Sequence, residues 1–139
     1  LFPYTTLFRS AKLLRGGRDV LIISSGLLTM RALEAAKELE GGGADVAVLH
    51  VPTIKPLDEE TILREAGVSG RLVVVAENHA AIGGLGEAVA TLLLRHRLAP
   101  EFKQIALPDA FLDAGALPTL HDRYGISTSA IVGSLKSWL

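Results

Sequence analysis

The residues with the clearest potential for chemistry are an acid and a base two positions apart, Glu77 and His79, which follow a continuous apolar run. In α/β domains, ligands bind at the carboxyl ends of such strands, and a Glu with a His there could transfer protons. A metal site would need a third ligand, and none lies at supporting spacing nearby. We favour a structural interpretation, a hydrogen-bonded Glu–His pair that orders the loop or a subunit contact.

A glycine cluster follows at positions 83–86 and precedes a helical pattern. Glycines before a helix let backbone N–H groups approach an anion, and the helix N-terminus favours negative charge. A dinucleotide-binding turn would have a third glycine where Val89 stands, and the interval from Ala76 to the cluster is too long for that turn. Close helix packing is therefore the favoured role. The candidate loop for subunit contact or anion binding comprises Glu77, His79, Gly83, Gly84 and Gly86.

Two other polar segments give no sign of a reactive group. Lys55 could hold a phosphate, but the run 55–58, Lys-Pro-Leu-Asp, is also an efficient turn followed by a helix N-cap. Ser24 and Ser25 lack the flanking glycines of a hydrolase nucleophile elbow. The chain contains no cysteine, which excludes disulfides, thiolate metal sites and a cysteine nucleophile. The sequence thus predicts no catalytic, cofactor-binding or metal-ligating residue in this chain.

Alternating strand-like and helix-like segments position these residues. The run 19–25 is rich in β-branched residues and lacks the alternation of a half-exposed strand, which indicates that both of its faces are covered. Further strands are predicted at 45–51, 71–76 and 102–107. Helical periodicity between them predicts an α/β fold, a three-layer α/β/α sandwich around a mostly parallel sheet.

Capping residues mark where several helices begin and end. Asp58 is placed to cap a helix that Gly67 closes, and a further helix is expected from about Glu87. In the tail, Ser127 or Thr128 is expected to cap the last helix. These signals divide the chain into alternating elements of ordinary length.

Composition limits the classes of partner. With 139 residues, the chain has room for one domain, and 49% hydrophobic against 21% charged residues supply its core. A net charge of −1 and only 5% aromatic residues argue against nucleic-acid binding, which needs a basic face and stacking residues. No apolar run approaches the roughly 20 residues of a transmembrane helix. We expect neither nucleic acid nor a membrane as a partner.

The first ten residues, Leu1 to Ser10, are interpreted as a foreign segment. They match the translation of a common short-read sequencing adapter, and they lack the basic-then-apolar order of a secretory signal. We therefore expect natural sequence from about Ala11 and a single domain over 11–139. The alternative is a native apolar edge segment.

Three motifs taken in order resemble the C-terminal domain of transketolases. They are the run 53–58 (Thr-Ile-Lys-Pro-Leu-Asp), the run 77–89 with its Glu-Asn-His and glycine cluster, and the run 124–126 (Tyr-Gly-Ile). The His after the acidic residue favours transketolases, including the short C-terminal subunits of split transketolases. The related domains of 2-oxoacid dehydrogenase beta subunits and deoxyxylulose-phosphate synthase lack it. One departure is Ala80-Ala81, where relatives often carry Ser or Tyr.

The resemblance, which covers about 11–139, carries expectations about fold and chemistry. It implies a five-stranded mixed sheet with one antiparallel strand, so a fifth strand is expected near the chain ends or within 110–120. Transketolases transfer a two-carbon ketol unit between sugar phosphates with thiamine diphosphate and a divalent metal such as Mg²⁺. In the family, the domains that precede this one bind both cofactors, and the C-terminal domain carries no established catalytic residue.

The resemblance therefore implies a non-catalytic structural and dimerisation domain of a cytoplasmic enzyme of pentose phosphate metabolism, with no cofactor held by this chain itself. Its expected partners are upstream domains or an N-terminal subunit, in a homodimer or heterotetramer, and the isolated chain is expected to be inactive. Two alternatives stay open. One is a regulatory module that binds phosphate or nucleotide at 83–86. The other is the equivalent domain of a 2-oxoacid dehydrogenase beta subunit or deoxyxylulose-phosphate synthase.

Overall fold

The computed structural model describes residues 9–139, which form a five-stranded mixed sheet with helices on both faces. The strand order is β1-β3-β2-β4-β5, with β1 antiparallel to β3 and the other neighbours parallel. The strands are β1 (Lys12–Arg15), β2 (Val20–Ser24), β3 (Val46–His50), β4 (Leu72–Ala80) and β5 (Phe102–Leu107). The expected sheet is confirmed, and the strand that the apolar runs did not locate is β1.

Helices cover the two faces in pairs. They are α1 (Leu27–Glu40), α2 (Glu59–Ala66), α3 (Leu85–Arg95), α4 (Leu117–Arg123) and α5 (Thr128–Trp138). Buried residues of α1 and α5 pack on one face and those of α2 and α3 on the other, which confirms the three-layer sandwich. Within residues 9–139, no helix has the length and apolar character needed to cross a bilayer.

The central strand β2 explains the unbroken apolar run in the sequence. Its Val20 and Ile22 belong to the core under α1 and α5, whereas Leu21 and Ile23 belong to the core under α2 and α3. Because successive side chains of a strand point to opposite faces, a strand covered on both sides must be apolar at every position. All five residues of β2 are accordingly buried.

Asp58 begins α2 as expected and also fixes the start of the described chain. Its Oδ1 accepts a hydrogen bond from the Thr61 N–H at 3.2 Å, and its Oδ2 accepts one from the Ala11 N–H at 2.7 Å. Gly67 ends the helix. Of the proposed foreign segment 1–10, residues 1–8 lie outside the described residues, so its interpretation stays a prediction.

Two element boundaries differ from expectation. β4 continues to Ala80 rather than ending at Ala76, and α3 begins at Leu85 rather than near Glu87. The polar run 77–79 resembles a strand end, but it remains extended, and the pairing of β4 with β5 resumes at Ala80 after a register shift. Polarity alone therefore misplaced the end of this strand.

The parallel strands β2, β3, β4 and β5 all end at one edge of the sheet, which we name the carboxyl edge. The antiparallel strand β1 begins there, because Lys12 pairs with His50 at the end of β3. The candidate residues 77–86 follow β4 at this edge. The opposite edge, where these four strands begin, is named the amino edge.

Candidate functional site

Glu77 is a buried carboxylate that binds the first turn of α3. Strand alternation carries it to the same face as Val73 and Val75, beneath the N-terminus of α3, and only 1% of the residue is exposed. Its carboxylate accepts hydrogen bonds from the N–H of Leu85 at 2.6 Å and of Gly86 at 3.1 Å. A negative charge at this position satisfies unpaired N–H groups and interacts favourably with the helix dipole.

Gln104 completes the surroundings of this carboxylate, and sequence reasoning did not find it. From β5, its Nε2 donates to Glu77 Oε1 at 3.1 Å and to the Ala81 carbonyl at 3.0 Å. One amide thus joins the buried acid to the loop after β4. The signal that could have located Gln104 is its polar side chain, next to Lys103, in the middle of a predicted strand.

The glycines of the cluster allow this close approach. A Cβ atom at Gly84 would overlap the Glu77 carboxylate, and one at Gly86 would overlap the Gln104 side chain. The geometry agrees with the close packing expected from the sequence, although the groups approached are polar side chains. Gly83 has a different reason to be glycine, since its φ is +78°.

Three N–H groups of this turn already have acceptors within the chain. Gly83 donates to Glu87 Oε2 at 2.8 Å, while Leu85 and Gly86 donate to Glu77. A phosphate bound to these N–H groups would have to displace the Glu77 carboxylate and would lie next to a second carboxylate. These contacts disfavour the anion-binding alternative.

Glu77 and His79 do not act as the pair that the sequence suggested. Glu77 is committed to α3 and Gln104, whereas His79 is exposed and its Nδ1 lies 2.9 Å from the Ala80 carbonyl. Among residues 9–139, no hydrogen bond joins the two side chains. The hydrogen-bonded Glu–His pair is thus replaced by an internal cap from Glu77 and an outward-facing His79.

A second polar cluster lies at the carboxyl edge, on the other face of the sheet. The hydroxyl of buried Ser24 lies 2.9 Å from that of Thr29, which in turn lies 2.9 Å from His50 Nδ1. Ser24 and His50 end neighbouring strands, and Thr29 is in the first turn of α1. The position of His50 at the end of a strand is the sequence signal that could have located this contact.

The remaining candidates do not gather into a reactive site. Lys55 is exposed in the loop between β3 and α2. Within residues 9–139, no three His, Asp or Glu side chains are placed to hold a metal ion together. The described edge therefore contains two internal polar clusters and an exposed histidine.

Electrostatics at the neighbouring loop favour a charged Asp58. Its partial burial raises the pKa, but hydrogen bonds from Ala11 and Thr61 and the nearby charge of Arg64 outweigh that influence. The net result is a pKa below the ordinary value of 3.8. This carboxylate is ionised wherever the protein functions near neutral pH.

Comparisons of the chain with known proteins agree on one family. The family profile described as "Transketolase, C-terminal domain" matches residues 9–131. A putative uncharacterised transketolase family protein of Sinorhizobium fredii is 72% identical over 139 residues, covering 99% of this chain and 40% of that protein. The 6-deoxy-6-sulfo-D-fructose transketolase subunit SqwH of a Clostridium species is 42% identical, covering 88% of this chain and 37% of that subunit.

More distant relatives and solved structures also match this chain over only part of their own length. A 1-deoxy-D-xylulose-5-phosphate synthase of Syntrophotalea carbinolica is 36% identical, covering 91% of this chain and 20% of that enzyme. The structure of a split-gene transketolase, described as an inactive beta4 tetramer, superposes with a TM-score of 0.84 at 34% identity. The match covers 94% of this chain and 42% of that one. A Campylobacter jejuni transketolase has the same fold, with a TM-score of 0.65 at 21% identity over 94% of this chain and 19% of that one. This chain spans about two fifths or less of each protein.

Proposed function

The chain belongs to the transketolase C-terminal domain family, and from that premise we propose that it is a non-catalytic structural and dimerisation domain of a transketolase-type enzyme. The parent enzyme would transfer a two-carbon ketol unit between sugar phosphates in the cytoplasm. The chain would serve it by supporting the subunit and by contributing to contacts between subunits. Because this chain is only a fraction of its relatives' length, we assign the activity to the parent enzyme and not to this chain alone.

The observation that carries the proposal is the use made of Glu77. The acid with the best position for catalysis, at the carboxyl end of a central strand, is buried and accepts hydrogen bonds from Leu85, Gly86 and Gln104. A general acid or base must reach a proton on the substrate. A carboxylate enclosed in this way stabilises a helix and cannot reach a substrate. A neighbouring subunit or domain would instead contact the surface of the loop, where His79 is exposed.

Thiamine diphosphate and Mg²⁺ are assigned to the rest of the parent enzyme. A diphosphate needs unpaired donors, yet the glycine turn at 83–86 already donates to Glu77 and Glu87. A metal ion needs converging ligands, and within residues 9–139 no three acidic or histidine side chains converge. These observations support the assignment of both groups to the rest of the parent enzyme.

The likeness to SqwH favours a more specific candidate within the same reaction class. That subunit is named as acting on 6-deoxy-6-sulfo-D-fructose and is 42% identical to this chain. A sulfonated sugar would place a fixed anion where other substrates carry a phosphate. We assign the choice between the two to residues outside this chain, since three N–H groups of the turn at 83–86 already donate to carboxylates.

An assay of the purified chain tests the proposal. With thiamine diphosphate, Mg²⁺ and donor and acceptor sugar phosphates supplied, we expect no ketol transfer, while a full-length transketolase in the same assay turns over. Thiamine supplies the electron sink for ketol transfer, and we assign its binding to the rest of the parent enzyme. Ketol transfer by the 139-residue chain alone would overturn the proposal.

Calorimetry separates the regulatory alternative from the structural one. Titration of the chain with a sugar phosphate and with a nucleotide should release no saturable heat, because three N–H groups of the turn already have acceptors. Saturable binding that is lost in Gly84→Val would favour the phosphate- or nucleotide-binding module instead.

A further inference from the structure

Large apolar side chains are exposed in the loop or the first helical turn that follows each strand ending at the carboxyl edge. Single exposed apolar residues are ordinary on protein surfaces, whereas a set gathered at one edge indicates an interaction site. Met30 and Ile82 are each 59% exposed, Leu117 is 65% exposed and Phe111 is fully exposed. The set, named the apolar rim, follows β2, β3, β4 and β5 in turn: Leu27, Met30, Ile54, Ile82, Phe111 and Leu117.

The segment that carries Phe111 is anchored. It lies between β5 and α4 without a helix or strand of its own. Asp113 fastens it, because its N–H donates to the Tyr124 hydroxyl at 3.0 Å and its carboxylate accepts from Arg123 at 2.6 Å. An aromatic ring held outward by an ordered segment loses little conformational freedom on binding, as interface anchors require.

The polypeptide enters this domain at the same edge. Lys12 pairs with His50 at the carboxyl end of β3, and the Ala11 N–H donates to Asp58 in the adjacent loop. Any segment that precedes Ala11 therefore arrives beside the apolar rim. Relatives of this chain carry it as only 40% or less of their length, so most of each relative lies elsewhere.

Resting on the proposed function, we propose that the apolar rim docks the upstream domain of the parent enzyme, with Phe111 as the anchor. The partner surface is apolar and has a pocket for an aromatic ring. It faces the rim because the connecting polypeptide joins the two at the carboxyl edge. The amino edge carries a smaller set among the described residues, consisting of Val68, Leu94 and Leu139.

A full-length chimera tests the docking. The region of the S. fredii relative that this chain matches is replaced by this chain, and amide hydrogen exchange at 108–117 is compared with that of the isolated chain. We expect slower exchange in the chimera by at least tenfold. Phe111→Asp should restore the fast exchange, whereas Val68→Asp, a matched exposed residue at the amino edge, should leave the protection in place.

Other outcomes contradict the proposal. Equal exchange at 108–117 in the chimera and the isolated chain, or equal effects of the two substitutions, would show that the rim is not the contact. Dimerisation of the isolated chain that Phe111→Asp abolishes, measured by sedimentation, would assign the rim to a second copy. A chimera that fails to fold while the S. fredii protein folds would count against docking to that upstream region.

The proposed function is judged separately from the rim. A chimera that catalyses ketol transfer while residues 108–117 exchange as fast as in the isolated chain would contradict docking by the apolar rim but not the proposed function. Catalysis by the isolated chain would contradict the proposed function but not the docking.

Discussion

The helices α2 and α3 both begin at the carboxyl edge, but they obtain their N-terminal carboxylate differently. α2 has Asp58 at the N-cap itself, where the half-buried side chain accepts from Thr61 three residues on. α3 has Gly84 at the N-cap, with no side-chain bond, and receives the buried carboxylate of Glu77 from the preceding strand. A local cap depends on neighbouring residues alone, whereas a remote cap depends on how the strand, loop and helix pack together.

Blocking the remote cap should have the largest effect. In Gly84→Val, the new side chain overlaps the Glu77 carboxylate, so either the helix or the acid must move. We expect the free energy of unfolding to fall by about 3 kcal/mol, measured by urea denaturation. Gly133→Val is the matched control, because a Cβ there meets no atom within 4 Å. Equal losses in both variants would contradict the close-packing argument.

Removing the charge of the remote cap should cost less. Glu77→Gln keeps the shape, but its amide nitrogen faces N–H donors that need an acceptor. We expect a loss of about 2 kcal/mol in the same denaturation experiment. His79→Ala, an exposed position on the same strand, should leave the unfolding free energy unchanged. A tolerated Glu77→Gln would mean that shape alone caps α3.

The stability contributed by the local cap should depend on pH and should be lost in acid. The lowered pKa of Asp58 means that its charge stabilises the fold fully above the ordinary value of 3.8, and this contribution is lost as pH falls through the folded-state pKa. Asp58→Asn keeps a capping oxygen and cannot ionise, so it should be less stable by about 0.5 kcal/mol near pH 6. The difference between the two proteins should shrink from pH 6 to pH 2. A difference that widens in acid would reverse the sign of the argument.

Deleting Leu1–Ser10 should have the smallest effect. The Ala11 N–H that reaches Asp58 is retained, so the local cap of α2 keeps both of its donors. We expect an unchanged thermal midpoint in calorimetry, because the segment shows no sequence periodicity that matches the domain. A loss of several degrees would show that the segment packs against the domain.

Elements with local signals were predictable, and elements that depend on distant residues were not. The run 102–107 predicted β5 with its observed bounds, and Asp58 was identified as an N-cap from residue type and spacing. The cap of α5 was narrowed to Ser127 or Thr128, and the structure has Ser127 there. The start of α3 was misplaced because Glu77 lies eight residues before the N–H of Leu85 that it binds. β1 showed no apolar pattern because it is an outermost strand of the sheet, where both of its leucines are 40% exposed.

The candidate site followed the same division. Glu77, Gly84 and Gly86 were singled out from the sequence and do lie together, since strand, turn and helix are consecutive. The pairing of Glu77 with His79 was wrong, because burial gave the acid three other donors. Gln104 was missed because only the pairing of β4 with β5 brings it to the acid.

The central position of β2 has a consequence for motion. Its residues belong alternately to two separate cores, so its neighbours hold it from above, below and both sides. A fluctuation that opens one core leaves the amides of β2 paired with β3 and β4 and still covered by the other core. Local breathing at the loops can therefore proceed without freeing this strand, and its amide protons reach solvent only when the whole domain unfolds.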